Sequence, residues 1–207
     1  MRKFIDIISS SKALTESVID LVDDLEPQIL DQLWTDIDNV GSLDYQVSTI
    51  ENYDPDNREF ENSDPDGDPI PANSPEGKKL YRRAFNTLMS ERIWDATCMI
   101  SERFKDDKIW LFRVITAPRN WTPDPNRGPG IYWSWDREAA DAHWGSFGDG
   151  NIKWLLTTQA TQNQIDWPKT IAMNASPDYE EEKEIRLLTD AGVEFEWEEW
   201  KPGSRGW

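Results

Sequence analysis

Apolar positions near the start of the chain recur three and four residues apart: Leu14, Val18, Leu21, Val22 and Leu25, and beyond Pro27 again Leu30, Leu33, Trp34 and Ile37. This is the period of an amphipathic helix, and proline is tolerated in a first helical turn. The pattern therefore predicts two short helices divided at Pro27. Between Asn52 and Glu76 the periodicity is lost among Pro55, Pro65, Pro69, Pro71 and Pro75 with many Asp and Asn, which predicts loop or linker. From Lys78 to about Phe104, Tyr81, Phe85, Leu88, Met89, Ile93, Ala96, Ile100 and Phe104 share one face, predicting a long helix that contains Cys98.

Past Phe104 the period changes from helical to alternating. In Lys108 to Thr116, Ile109, Leu111, Arg113 and Ile115 fall on one face of a strand and Trp110, Phe112 and Val114 on the other. A Pro- and Gly-rich loop from Ala117 to Gly130 leads to Gly130-Ile-Tyr-Trp-Ser-Trp-Asp136, then to a short Ala-rich helix that Asp136 or Ser134 can cap and Gly145 can stop. Further strands are predicted at Ile152 to Thr158, Thr170 to Met173, Glu184 to Leu188 and Val193 to Trp197. In the last, Val, Phe and Trp should point inward, Glu194 and Glu196 outward, after a turn at Asp190-Ala-Gly192.

Composition narrows the class. The 207 residues suffice for a core, and one cysteine cannot form an internal bridge, as expected of a soluble protein of a reducing, cytoplasmic compartment. No apolar run reaches the length of a signal peptide core or a membrane span. The 22 basic against 40 acidic side chains give a formal charge of -18, which argues against a nucleic-acid backbone as partner. Residues 1–75 hold 4 basic and 18 acidic side chains, residues 76–177 hold 14 and 12, so the acidity is uneven and the middle of the chain is free to meet an anion. This divides the chain into an acidic helical region with a Pro/Asp-rich linker, 1–76, and a core with its leading helix, 77–207. Asp64-Pro-Asp66-Gly-Asp68 has calcium-loop composition without the Gly position and downstream Glu of an EF-hand, and reads as a solvated linker. His143 is the only histidine, which removes multi-histidine metal sites and limits triads.

Three segments carry candidate chemistry. Arg113 interrupts an apolar strand face. A guanidinium there needs an internal carboxylate or a cleft that receives an anion, unless the strand lies at an edge with Arg113 in water. Tyr132 and Ser134 lie where a strand runs into a capped helix, at a cleft rim; packing and capping would account for them equally. In Glu180-Glu181-Glu182-Lys183-Glu184, period-2 geometry puts Glu182 and Glu184 on one face, either to stabilise positive charge and orient an acceptor or as a solvated acidic edge.

The order of LFR at Leu111 to Arg113, GIYWS at Gly130 to Ser134, and EKEI at Glu182 to Ile185 resembles the ADP-ribosyltransferase superfamily over roughly residues 109–200. Arg113 is similar to the arginine form of the first motif. Gly130-Ile131-Tyr132 resembles the diphtheria-toxin and poly(ADP-ribose) polymerase branch, while Ser134 matches the serine of the other branch, so R-S-E and H-Y-E characters are mixed. Glu182-Lys183-Glu184 is similar to the E-x-E of arginine-modifying members, with Glu184 at the catalytic place. The resemblance implies an α+β fold whose core is two small, mostly antiparallel sheets forming a cleft. It further implies an NAD-dependent mono-ADP-ribosyltransferase acting on a protein acceptor, arginine being one expectation, with NAD as substrate and no metal. Glu184 would stabilise the ribosyl cation and Glu182 guide the nucleophile. Arg113 would meet the pyrophosphate or ribose, Tyr132 stack on nicotinamide, and Ser134 position the site. Two other readings stand beside it: an acidic, nucleic-acid-mimicking inhibitor, favoured by the charge asymmetry, and an inactive recognition module of the same fold.

Overall fold

A computed structural model describes residues 2–36, 45–49, 52–62, 67–124, 128–142, 151–177, 182–189 and 191–201, with side chains of the first helix from Val18 to Thr35. The side chain of Leu14 and residues Ile37, Asp64, Asp66, His143, Gly145, Glu180, Glu181 and Asp190, which figure in the sequence reading, lie outside the described set.

The chain opens with helix α1, Arg2–Asp36, a single 35-residue helix with Pro27 inside it, where two were expected. Proline removes one intrahelical hydrogen bond, and apolar packing on both sides of it outweighs that loss. Val18 and Val22 before Pro27, and Ile29 and Leu33 after it, are all buried in the same core. Three two-residue strands follow, β1 Tyr53–Asp54, β2 Glu59–Phe60 and β3 Ile70–Pro71, in an antiparallel sheet of order β1-β2-β3. The expected linker is thus partly ordered, because Tyr53 and Phe60 bury their rings against Tyr81 and Ala84. Helix α2, Pro75–Ser101, starts where Ser74 accepts the Gly77 amide and Pro75 occupies the first turn. Its buried face carries Tyr81, Phe85, Met89, Ile93, Ala96 and Ile100 as the period predicts, Leu88 is partly buried, and Phe104 is buried beyond the helix end. Cys98 is half-buried on this helix; burial, with the charges of Asp95 and Glu102, pushes its thiol up.

The second sheet comprises β4 Lys108–Pro118, β5 Tyr132–Ser134, β6 Asn151–Thr161, β7 Glu184–Arg186 and β8 Phe195–Glu199, all antiparallel in the order β7-β5-β4-β6-β8. Helix α3, Arg137–Ala142, follows β5, and α4, Trp167–Ala175, lies between β6 and β7. The fold is therefore mixed α+β with two antiparallel sheets, one of three strands and one of five. The segment from Thr170 to Met173, expected as a strand, lies within α4. Its Thr and Ile residues favour β, but Asp166 caps the helix by accepting the Lys169 amide, a proline sits in its first turn, and Thr170, Ile171, Ala172 and Ala175 bury one face. In β8 the expected alternation holds, Phe195 packing against the core with Val193 before it and Glu196 turned to the other face, but Trp197 at this edge strand stays 46 % exposed.

One face of the large sheet, presenting Ile109, Leu111, Trp133, Leu156 and Ile185, shares its core with α1, α2 and α4. On the other face Val114 and Leu155 pack under Ala140 of α3, with Phe112 and Trp200 beside them, leaving the remainder open. Among the described residues no helix is long and apolar enough to cross a membrane.

Leu156 is 1 % exposed. Leu156→Ala should cost about 2–5 kcal/mol in urea unfolding and Ser74→Ala about 1 kcal/mol, the ordinary costs of a core cavity and a lost helix cap. Equal effects would contradict this placement of Leu156.

Candidate functional site

The cleft is positioned by strand register. Phe112 of β4 pairs with Ser134 of β5, and Ser134 pairs with Glu184 of β7. On the other side Phe112 pairs with Thr157 of β6, which pairs with Glu196 of β8. Directly opposed residues of antiparallel strands share a face. One line of side chains therefore crosses the whole sheet from Glu184 through Ser134, Phe112 and Thr157 to Glu196.

Arg113 is paired with Leu156 and leaves β4 on the helix-covered side, one residue off this line. β4 is the central strand, so the edge-strand reading of Arg113 does not apply. The β4–β5 ladder is a single pair, and beyond it the guanidinium fills the space between the strands. There Nη1 donates to the Tyr132 carbonyl at 2.9 Å. Gly130 makes room for it: φ is +91° at this position, and a Cβ would fall 2.4 Å from Nη1. The positive φ calls for glycine there, and any larger residue would also displace the Arg113 guanidinium.

Glu184 is fixed through its backbone, whose carbonyl accepts from Asn174 Nδ2 of α4 at 2.7 Å. Next along β7, Arg186 exchanges two backbone bonds with the Thr170 hydroxyl and ion-pairs with Asp166. Glu182 precedes the strand, and Lys183 between the two glutamates has a left-handed φ of 50°. The two carboxyl groups meet through this turn and not through strand alternation. Ser134, 5 % exposed, holds the turn by donating to the carbonyls of Glu182 and Lys183 at 3.3 and 3.1 Å, and it accepts the Asp136 amide at 3.1 Å. Lys183 in turn bonds Asp136 at 2.8 Å. Burial pushes the Asp136 carboxyl up, but Lys183 and the amides of Ala139 and Glu138 outweigh burial and hold it below its usual value. Tyr132 stands at the rim, 41 % exposed, with the Arg186 guanidinium 5.9 Å from its ring centre.

All five residues singled out from the sequence, Arg113, Tyr132, Ser134, Glu182 and Glu184, line one cleft of about 150 Å³ together with Phe112, Trp133 and Ala140. Its electrostatics are unusual. Glu184 is pushed up to about 7 by burial and by the negative charge of Glu182, against the attraction of Arg113, and a hydrogen bond between the two carboxyl groups raises it further. Such a bond requires one of the pair to carry a proton. Burial holds the Arg113 guanidinium below its usual value, and the charge of Glu184 opposes that shift. A carboxyl that titrates near neutrality beside a fixed cation can accept a proton or stabilise a positive centre that enters the cleft. Among the described residues no group of three or more His, Cys, Asp or Glu side chains gathers to hold a metal.

The sequence reading omitted Gly130 as a spacer for Arg113, Asn174 as a prop for Glu184, and Lys183 as the turn that joins the glutamates. Gly130 was visible at the head of the GIYWS segment. Asn174 gave no signal, since it directly follows Thr170 to Met173, which reads as a strand. Comparison with family models, curated proteins and solved structures finds no match to this chain.

Because folding raises the proton affinity of Glu184, its protonated form favours the folded state, and that contribution is lost as pH rises from its unfolded value near 4.5 through about 7. Glu184→Gln should raise the melting temperature by a few degrees at pH 8, discounted for solvent screening, with the difference vanishing toward pH 4. A pH-independent difference in thermal denaturation would contradict the raised proton affinity.

Proposed function

We propose that the chain is an NAD-dependent mono-ADP-ribosyltransferase that modifies a protein acceptor, with an arginine guanidinium as the acceptor its paired carboxyl groups suit. The observation that carries this reading is the convergence of Glu182, Glu184 and Arg113 on one cleft, assembled from segments far apart in sequence.

The chemistry follows from charge. Breaking the bond between nicotinamide and ribose sends the bonding pair to nicotinamide and leaves positive charge on the ribose, which ionised Glu184 stabilises best in a cleft shielded from water. Arg113 supplies a cation for the pyrophosphate or a ribose hydroxyl. Tyr132 at the open rim offers a ring on which nicotinamide stacks. The acceptor nitrogen then forms the new bond to the ribose carbon, and its proton passes to Glu182. Ser134 acts through the 182–183 backbone that it holds and is a positioning residue. At about 150 Å³ the cleft is sized for the ribosyl end of NAD.

The test is release of labelled nicotinamide from NAD, with and without an arginine-bearing protein. Glu184→Gln should lose on the order of a hundredfold or more in NAD cleavage. Glu182→Gln should depress transfer to protein more than hydrolysis of NAD. No turnover by the folded wild-type protein, or equal and negligible effects of both substitutions, would overturn the reading.

The proposal also fixes the pH dependence. Cleavage should rise with pH through about 7 as Glu184 ionises, and Glu182→Gln should move the inflection to lower pH, because the charge of Glu182 contributes to the raised value. An inflection that stays in place in Glu182→Gln would separate the activity from this carboxyl pair.

A further inference from the structure

Beside the cleft, on the same face of the large sheet, lies a groove of about 460 Å³ lined by Trp110, Phe112, Thr157 and Glu196, with Arg137 at one end. Phe112 lines both, so groove and cleft adjoin. Trp110 is 52 % exposed on this face, although the neighbouring Ile109 and Leu111 of the same strand are buried on the other. A large aromatic ring left open beside carboxylates suits a partner that is cationic and partly apolar.

The groove already holds one cation in this way. The Arg137 guanidinium lies 5.4 Å from the ring centres of both Phe112 and Trp200 and donates to Glu198 at 3.2 Å. Glu196 and Trp110, farther along the same face, offer the same two elements. Glu196 is exposed, stands opposite Thr157 in the side-chain line that runs to Glu184, and belongs to a protein with a formal charge of -18.

We propose that this groove docks a basic segment of the protein acceptor, with an arginine or lysine side chain over Trp110 and against Glu196, so that the segment runs along the sheet toward Glu182 and Glu184. The role as acceptor site rests on the transferase reading; the binding itself does not.

The experiment titrates the full chain against a fluorescein-labelled peptide of alternating arginine and glycine at physiological ionic strength, by anisotropy, with nicotinamide release from NAD measured on the same preparations. Trp110→Ala/Glu196→Gln should weaken binding about tenfold, as expected when one desolvated cation–ring contact and one charge pair are lost. Glu196→Lys should weaken it further. Glu91→Gln, which removes one charge from exposed Glu91 of α2, should leave it unchanged. Hydrolysis of NAD should be unaffected by all of these. Binding that follows this pattern supports the groove whether or not NAD is cleaved, and its occurrence without cleavage would overturn only the transferase reading. Absence of saturable binding, or equal weakening by Glu91→Gln, would overturn the groove even if NAD is cleaved.

Discussion

The arrangement depends on the antiparallel register that places Glu184, Ser134 and Phe112 opposite one another on β7, β5 and β4. Side chains alternate faces along a strand, so a slip of one residue at either junction would send Glu184 into the apolar core and bring Ile185 to the cleft. The register is held from both sides of the sheet. Trp133 and Ile185, opposed on the helix-covered face, are almost completely buried, and the neighbouring Ser134 and Glu184 must then face outward. The Trp133 indole also donates to the Gly130 carbonyl at 3.0 Å, which fixes the loop against which Arg113 lies.

Holding these groups together works against stability. Arg113 is partly buried, Glu184 is partly buried beside a second carboxyl, and desolvation disfavours the charged form of each. Polar bonds to the backbone offset part of that cost and keep the groups in place: Ser134 to the 182–183 carbonyls, Asn174 to Glu184, Thr170 to Arg186. Charged groups are thus held partly out of water by bonds to the backbone, an arrangement that clusters at functional sites.

The sequence carried more of the candidate cleft than of the fold around it. Arg113 on an apolar strand, Tyr132 and Ser134 on a strand leading to a capped helix, and the Glu182 and Glu184 pair were all legible, because strand alternation and helix caps are local patterns. The contact between the two glutamates was expected for the wrong reason: a left-handed Lys183 joins them, and an isolated positive φ at lysine leaves no pattern in the sequence. The strand expected at Thr170 to Met173 is helical, and here a readable start signal, Asp166 followed by proline, was outvoted by the β preference of threonine and isoleucine. The continuity of α1 through Pro27 and the ordering of 53–71 against α2 both come from tertiary burial, which a local period does not report.

The central claim is that Glu184 is a near-neutral carboxyl that responds to a cationic ribosyl substrate. Its most direct measurement is a pH titration of the Glu184 side-chain carbonyl carbon by NMR, with the assignment made from Glu184→Gln, in free protein and with NAD present. The account predicts ionisation near pH 7 in the free protein and a move to lower pH when NAD places its positive nicotinamide ring in the cleft. A carboxyl that titrates near the ordinary 4.5 and is unchanged by NAD would contradict it.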